Sequence, residues 1–315
     1  MGMISFAVIK LCLIAVFGFV LYRKRIVDER VLGFLMFFVI NFTIPCLFFS
    51  RLIDNSQIVL SHSLWNFVFL SIAIFSLGYG LGALASLNKK ATAKKEFVSL
   101  VSFQNGGYLP MNIAFFLFAP ALRDKFLVYI ILYLLGFNIL MWSIGSFFIF
   151  KKRGEQFALK SVFTPPITST LFALLIVYTN TGRFIPAIVL DPVRMIGDTS
   201  FVLSMIILGS WLAQIDVHDF LKRIAIISEV SFLKLIVLPG LFFLFILGMK
   251  LYSLLGLFIL VEASMPSAVS LPIVAHLRKA DSEFVSQGVF FSHLLSIITI
   301  PFWLGIFLKI SGLSF

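Results

Sequence analysis

The sequence predicts an all-α polytopic membrane protein: ten transmembrane helices in two inverted five-helix repeats, with the fourth and ninth helices interrupted. Three observations predict it. Of 315 residues, 60% are hydrophobic and only 12% charged, with 39 phenylalanines; that is more apolar surface than a soluble chain of this length encloses around one core. The apolar residues fall into runs of the roughly twenty needed to cross a bilayer. Two of those runs, at the same rank in each half of the chain, carry glycine, proline, amide and hydroxyl residues at mid-span.

The expected spans are 4–22, 31–50, 64–86, 97–119, 126–149, 161–180, 188–213, 226–248, 252–276 and 284–310. The first is read as a helix and not as a signal peptide, because its basic cluster follows it and no small-residue cleavage site appears. The polar stretch from Lys151 to Gln156 divides the chain into repeats 1–155 and 156–315. Five helices per repeat is an odd number, so two repeats of one fold must lie inverted in the bilayer. Loops after odd-numbered helices carry sixteen basic residues: Arg23, Lys24, Arg25, Arg30, Lys89, Lys90, Lys94, Lys95, Lys151, Lys152, Arg153, Lys160, Lys222, Arg223, Arg278 and Lys279. The other loops and the C-terminal end carry six. The positive-inside rule then places the odd loops in the cytoplasm and both termini outside it. The net charge of +11 is explained by these loop clusters beside anionic lipid, and no nucleic-acid partner is expected. Cys12 and Cys46 lie in apolar runs without metal-type spacing, so neither a disulfide framework nor a metal site is expected.

The fourth run contains Phe103-Gln104-Asn105-Gly106-Gly107-Tyr108-Leu109-Pro110-Met111-Asn112. Proline removes a backbone donor and clashes with the preceding turn, so the helix is expected to break at Pro110. In a bilayer such a break persists only where protein or a water-filled cavity satisfies the freed backbone groups. The ninth run echoes it with Glu262-Ala263-Ser264-Met265-Pro266-Ser267-Ala268-Val269-Ser270-Leu271-Pro272. Paired interruptions in corresponding positions point to a carrier whose site lies at the repeat interface. Gln104, Asn105, Gly106, Gly107, Tyr108, Asn112, Ser267 and Ser270 are the expected substrate-binding residues, with Pro110, Pro266 and Pro272 breaking the helices. Amides and free helix-end N–H groups bind a carboxylate without a buried cation, so a small organic anion is the expected substrate.

Ionisable residues within spans each need a reason. Arg194 and Asp198, four apart in helix 7, are expected to pair on one helix face and neutralise each other; the alternative is a pair that opens to hold an anion on Arg194. Lys10 and Lys234 either snorkel or face a cavity. Glu262 suits a proton-sensitive carboxylate or a group that satisfies freed backbone donors. His293 either titrates near neutral pH or forms a helix contact. Arg194, Asp198, Glu262 and His293 are therefore the residues for proton or ion coupling. Asn41, Thr43 and Asn138 read as interhelical contacts.

The chain resembles bacterial members of the auxin efflux carrier family, within a superfamily that includes bile acid–sodium symporters. The resemblance rests on Asn105-Gly106-Gly107-Tyr108-Leu109, Thr164-Pro165-Pro166-Ile167 and Ile196-Gly197-Asp198-Thr199. Leu208-Gly209-Ser210-Trp211-Leu212-Ala213, Lys234-Leu235-Ile236-Val237-Leu238-Pro239 and Met265-Pro266-Ser267-Ala268-Val269 extend it over nearly the whole chain. It implies crossing of broken helices 4 and 9 in a transport domain beside a scaffold of helices 1, 2, 6 and 7, each domain drawn from both repeats. It also implies elevator-like alternating access, export or exchange of small carboxylates, frequent homodimers, a bacterial inner-membrane location and a binding amide at Asn105. The chain departs from the family where Asn112 stands in the usual place of the helix-4 proline, at Ser270 and Thr164 in place of Asn, and at Val202 in place of a proline. These departures bear on substrate choice.

Two other functions compete with a carboxylate carrier. Sodium coupling of the bile acid type needs several converging oxygens, which Gln104, Asn105, Ser267, Ser270 and Glu262 offer in part. A membrane-embedded enzyme needs an acid–base, nucleophile or metal constellation. His62, His218, His276 and His293 show no such spacing, and no Gly-rich phosphate loop or cofactor motif is present.

Overall fold

The computed structural model describes residues 2–87, 91–151, 162–214 and 217–313. Lys89, Lys90, Lys152, Arg153, Lys160 and the expected repeat boundary at 155/156 lie outside the described residues.

The described chain is helical, with a single isolated antiparallel bridge between Gln104 and Ser267. In order the helices are α1 (Gly2–Arg23), α2 (Glu29–Asp54), the short α3 (Ser56–Leu60), α4 (Leu64–Ala85), α5 (Ala91–Ser102), α6 (Tyr108–Leu117) and α7 (Pro120–Phe150). Then come α8 (Pro165–Tyr178), α9 (Ala187–Leu212), α10 (Val217–Phe232, continuing through Leu233–Val237 and Leu238–Gly248), α11 (Leu254–Ser264), α12 (Leu271–Leu277) and α13 (Ser282–Ser311). Among the described residues six helices are long and apolar enough to cross a membrane: α2, α4, α7, α9, α10 and α13. α6, α8 and α11 are shorter apolar helices.

Local chemistry explains where these helices start and bend. Asp28 caps α2 through the Val31 N–H at 2.8 Å, and Asp281 caps α13 through the Phe284 N–H at 2.9 Å. α2 and α10 each widen into a π turn, at Val39–Thr43 and Leu233–Val237, just before Pro45 and Pro239. Each proline would clash with the carbonyl four residues earlier, and the wider turn relieves that clash. In α10 that carbonyl belongs to Leu235, and the Trp303 indole N–H donates to it at 2.9 Å. A freed backbone group in a low-dielectric interior is thus satisfied by a neighbouring helix.

The helices pack into two groups. α1, α2, α8 and α9 pack on one another, while α4, α5, α7 and α10 to α13 form the second group. The α1–α9 contact is backbone against backbone. A Cβ on Gly209 would lie 1.7 Å from the Ala15 carbonyl oxygen, and one on Gly18 would lie 2.2 Å from that of Ile206. The Ser210 hydroxyl donates to the Gly18 carbonyl at 3.0 Å across the same seam. Small residues and a hydroxyl bond are how helices associate where lipid removes the hydrophobic driving force. α7 is apolar all round and buried on nearly every side from Phe126 to Phe137, which makes it the axis of the second group. Leu13, Phe69, Phe172, Leu244 and Ile298 are exposed on the outer surface, as lipid-facing side chains are.

Candidate functional site

The two interrupted runs meet. The helix of the fourth run stops at Ser102 and resumes at Tyr108; that of the ninth stops at Ser264 and resumes at Leu271. Between them the extended segments bond to each other: the Asn105 N–H donates to the Pro266 carbonyl at 2.7 Å, and the Ala268 N–H to the Phe103 carbonyl at 3.0 Å. Each break satisfies backbone groups that the other leaves open, so neither persists alone. The Ser267 hydroxyl donates to the Leu100 carbonyl at 2.7 Å, and the Ser292 hydroxyl accepts from the Ser267 N–H at 3.2 Å.

Pro110 does not mark the break, contrary to the sequence expectation. It is the third residue of α6, where the missing N–H has no intrahelical acceptor to lose. The non-helical segment lies earlier, at the amide and glycine residues. Pro266 sits within the second break, and Pro272 is the second residue of α12.

A cavity of about 70 Å³ lies against the crossover. Gln104, Asn105, Gly106, Gly107, Tyr108 and Ser270 border it from the crossover side. Ile40, Ile44 and Phe48 of α2, with Pro166 of α8, border it from the other helix group. The cavity therefore sits between the two groups. It has room for several water molecules or one small anion. Asn138 and Trp142 of α7 complete the wall. Asn138, expected as an interhelical contact, thus borders the cavity; its signal in the sequence is that a lone amide on a helix buried all round must face a partner or a cavity.

Two expected binding residues lie elsewhere. Ser267 is fully buried inside the crossover. Asn112 faces away along α6, its amide donating to the Tyr108 carbonyl at 2.7 Å and to the Ser204 hydroxyl of α9 at 3.2 Å.

The cavity shares Ile40, Trp142 and Pro166 with a vestibule of about 920 Å³. Glu29, Pro165, Gln214 and Ser282, at the ends of helices joined by odd-numbered loops, border the vestibule, as does Pro272. On the opposite face Arg51 at the end of α2, with its side chain 11% exposed, donates to Asp198 of α9 at 2.6 Å and to Asp124 of α7 at 3.4 Å. That bridge joins the two helix groups. Arg194 forks onto Asp54 with two bonds of 2.8 Å and holds Asp191 at 2.7 Å. The expected Arg194–Asp198 pair is absent. Both residues are neutralised from α2 instead, because Asp54 offers a bidentate carboxylate and Arg51 a free guanidinium edge.

Behind the crossover, the Lys234 ammonium is fully buried and donates to the Val101 carbonyl, in the last turn of α5, at 3.0 Å. Glu262 is also fully buried, in the last turn of α11, and neither carboxyl oxygen has a hydrogen-bond partner. Gln104 donates to the Tyr133 hydroxyl, while its own carbonyl oxygen has no partner. His293 of α13, which does not border the cavity, holds Asn105: its Nδ1 bonds the Val289 carbonyl at 2.8 Å and its Nε2 lies 3.1 Å from the Asn105 amide nitrogen. No group of three or more His, Cys, Asp or Glu able to hold a metal occurs among the described residues.

The family profile described as "Membrane transport protein", that of the auxin efflux carriers, matches residues 3–161 and 154–304. No curated protein matches the chain. The two matches together cover all but the ends of a helical, lipid-faced chain whose interrupted helices border a cavity at mid-span. The chain therefore belongs to the membrane transport protein family, the family of the auxin efflux carriers, and is a multi-pass membrane protein.

Proposed function

We propose that the protein is a secondary transporter for a small organic anion bearing a carboxylate, working in the export direction. Its ten transmembrane segments form two inverted five-helix repeats in a bacterial inner membrane, with both termini outside the cytoplasm and homodimers as the assembled form. The observation that carries this reading is the cavity at the crossover, lined by Asn105, Asn138, Ser270 and the glycine-rich start of α6. Amide and hydroxyl donors and the positive end of a ten-residue helix suit a carboxylate. The apolar wall of α2 suits the remainder of a small organic molecule.

The group of α1, α2, α8 and α9 is the scaffold, and the group carrying the crossover moves against it as an elevator. The vestibule opens this state to the cytoplasm, and the Arg51 bridge to Asp124 closes the other face. In a Ser270→Cys background, Asp124→Asn is expected to raise labelling by a membrane-impermeant maleimide from the even-loop face. Unchanged labelling would remove the bridge as a closure.

Liposomes bearing the protein are expected to move malate, malonate or an indole carboxylate, and Asn105→Ala to reduce that flux at least tenfold, the equivalent of about 1.4 kcal/mol. Flux of the whole carboxylate panel equal to that of empty liposomes would overturn the reading. Sodium coupling is the second reading. It is supported by three buried oxygens without partners, on Gln104 and Glu262. It is opposed by the Lys234 ammonium, which already places a cation beside that layer. Flux insensitive to a sodium gradient in the same liposomes removes it.

A further inference from the structure

The His293–Asn105 contact has a defined polarity. The Val289 carbonyl can only accept, so Nδ1 of His293 carries the proton in that 2.8 Å bond. Nε2 then presents a lone pair, and the Asn105 amide nitrogen, 3.1 Å away, donates to it. In this state one of the two amide hydrogens of Asn105 is committed to His293, which does not border the cavity that Asn105 borders. An imidazolium has no lone pair at either nitrogen. On protonation Nε2–H becomes a donor, and the contact survives only if the amide turns so that its oxygen accepts. The turn releases both amide hydrogens from His293, on a side chain that borders the cavity.

We infer that His293 and Asn105 form a proton-linked amide switch, in which protonation at Nε2 turns the Asn105 side chain to donate both hydrogens to a carboxylate in the cavity. The inference rests on the proposed carboxylate site and adds the positioning residue behind it. One proton enters with one anion, so the loaded site carries no added net charge. Neither charge is favourable alone at this depth in a bilayer, which makes their entry mutually dependent.

The hydrogen bonds of His293 go to the Val289 carbonyl and the Asn105 amide, neither of them a titratable group. His293 also borders an apolar groove of about 210 Å³ between α1, α6, α9 and α13. From α1 the titratable side chain on that groove is Cys12; α6 contributes Leu109 and Ile113, and α9 Met205, Leu208 and Leu212. On the crossover side Ser292, next along α13, is bonded to Ser267. Lys234 donates to Val101, and Glu262 has no hydrogen-bond partner, so neither is bonded to His293.

The test is titration calorimetry of the purified full chain with malonate, malate and indole-3-acetate from pH 5.5 to 8, in buffers of different ionisation enthalpy. Wild type is expected to take up one proton per bound anion, with affinity falling about tenfold per pH unit above the imidazole pKa. His293→Gln presents an amide that donates or accepts without a proton. It is expected to keep wild-type thermal stability and bind the anion with no proton uptake and less than a twofold pH dependence. Proton uptake that persists in His293→Gln, or wild-type binding without proton uptake, overturns the switch while leaving the carboxylate site standing. Absence of binding by all three anions overturns both.

Discussion

Gly209→Ala is expected to destabilise the protein severely, although it adds one methyl group to a helix that otherwise favours alanine. The added Cβ would lie 1.7 Å from the Ala15 carbonyl oxygen and 2.6 Å from its carbon, both backbone atoms of α1. No rotamer change relieves such a clash. The helices must separate, and the Gly18–Ile206 approach and the Ser210 bond to Gly18 are lost with the seam. Overpacking a tight core costs about 1–3 kcal/mol, and the effect here is placed at or above the top of that range because the obstacle is main chain. Gly80→Ala in α4 is the control, since a Cβ there meets nothing within 4 Å and helix propensity alone favours it by up to about 1 kcal/mol. Thermal unfolding in detergent, followed by size-exclusion of the surviving fraction, separates the two. Equal midpoints for both variants would refute the account of α1 and α9 as a fixed, backbone-packed scaffold. The comparison matters for function because an elevator needs a wall that does not yield.

Much of the architecture was legible because a bilayer imposes one rule on every span: about twenty apolar residues and no unpaired backbone. The interrupted fourth and ninth runs were legible for the same reason, since amides, glycines and prolines at mid-span need a structural cause. The exact break was harder to place. Proline signals a disruption but is harmless in a first helical turn, so Pro110 belongs to α6 and the extended segment precedes it. The i, i+4 spacing of Arg194 and Asp198 showed that they can meet. It said nothing of Asp54 and Arg51, which approach from α2 and hold them apart. Asn138 looked like an interhelical contact because a sequence does not show which side of an all-apolar helix borders a cavity. The bond from Lys234 to Val101 spans 133 positions, and no local pattern encodes a contact of that separation.

That bond sets up the second large effect. Lys234 and Glu262 are titratable side chains of opposite type, buried behind the crossover on adjoining helices, with no hydrogen bond between them. The ammonium also satisfies the Val101 carbonyl, one of the four that the end of α5 leaves without an intrahelical partner. Lys234→Met removes both services at once. It leaves Glu262 as an isolated carboxyl and Val101 as an orphan acceptor, and breaking a buried charge pair by one partner costs about 3–5 kcal/mol. Glu262→Gln alone leaves the ammonium without its counter-charge and is expected to cost less, because Lys234 retains its carbonyl. The double variant Lys234→Met, Glu262→Gln contains no buried charge at this layer. It is expected to recover most of the Lys234→Met loss, since replacing both members of a buried pair by neutral groups is often close to neutral. Thermal midpoints of the four proteins complete the cycle. Losses that add without recovery would mean that Lys234 acts through Val101 alone and that Glu262 is stabilised by some other group. Recovery would identify the pair as a fixed internal counter-charge that holds the two broken helices together from behind, where a carrier of the same shape would otherwise need a bound cation.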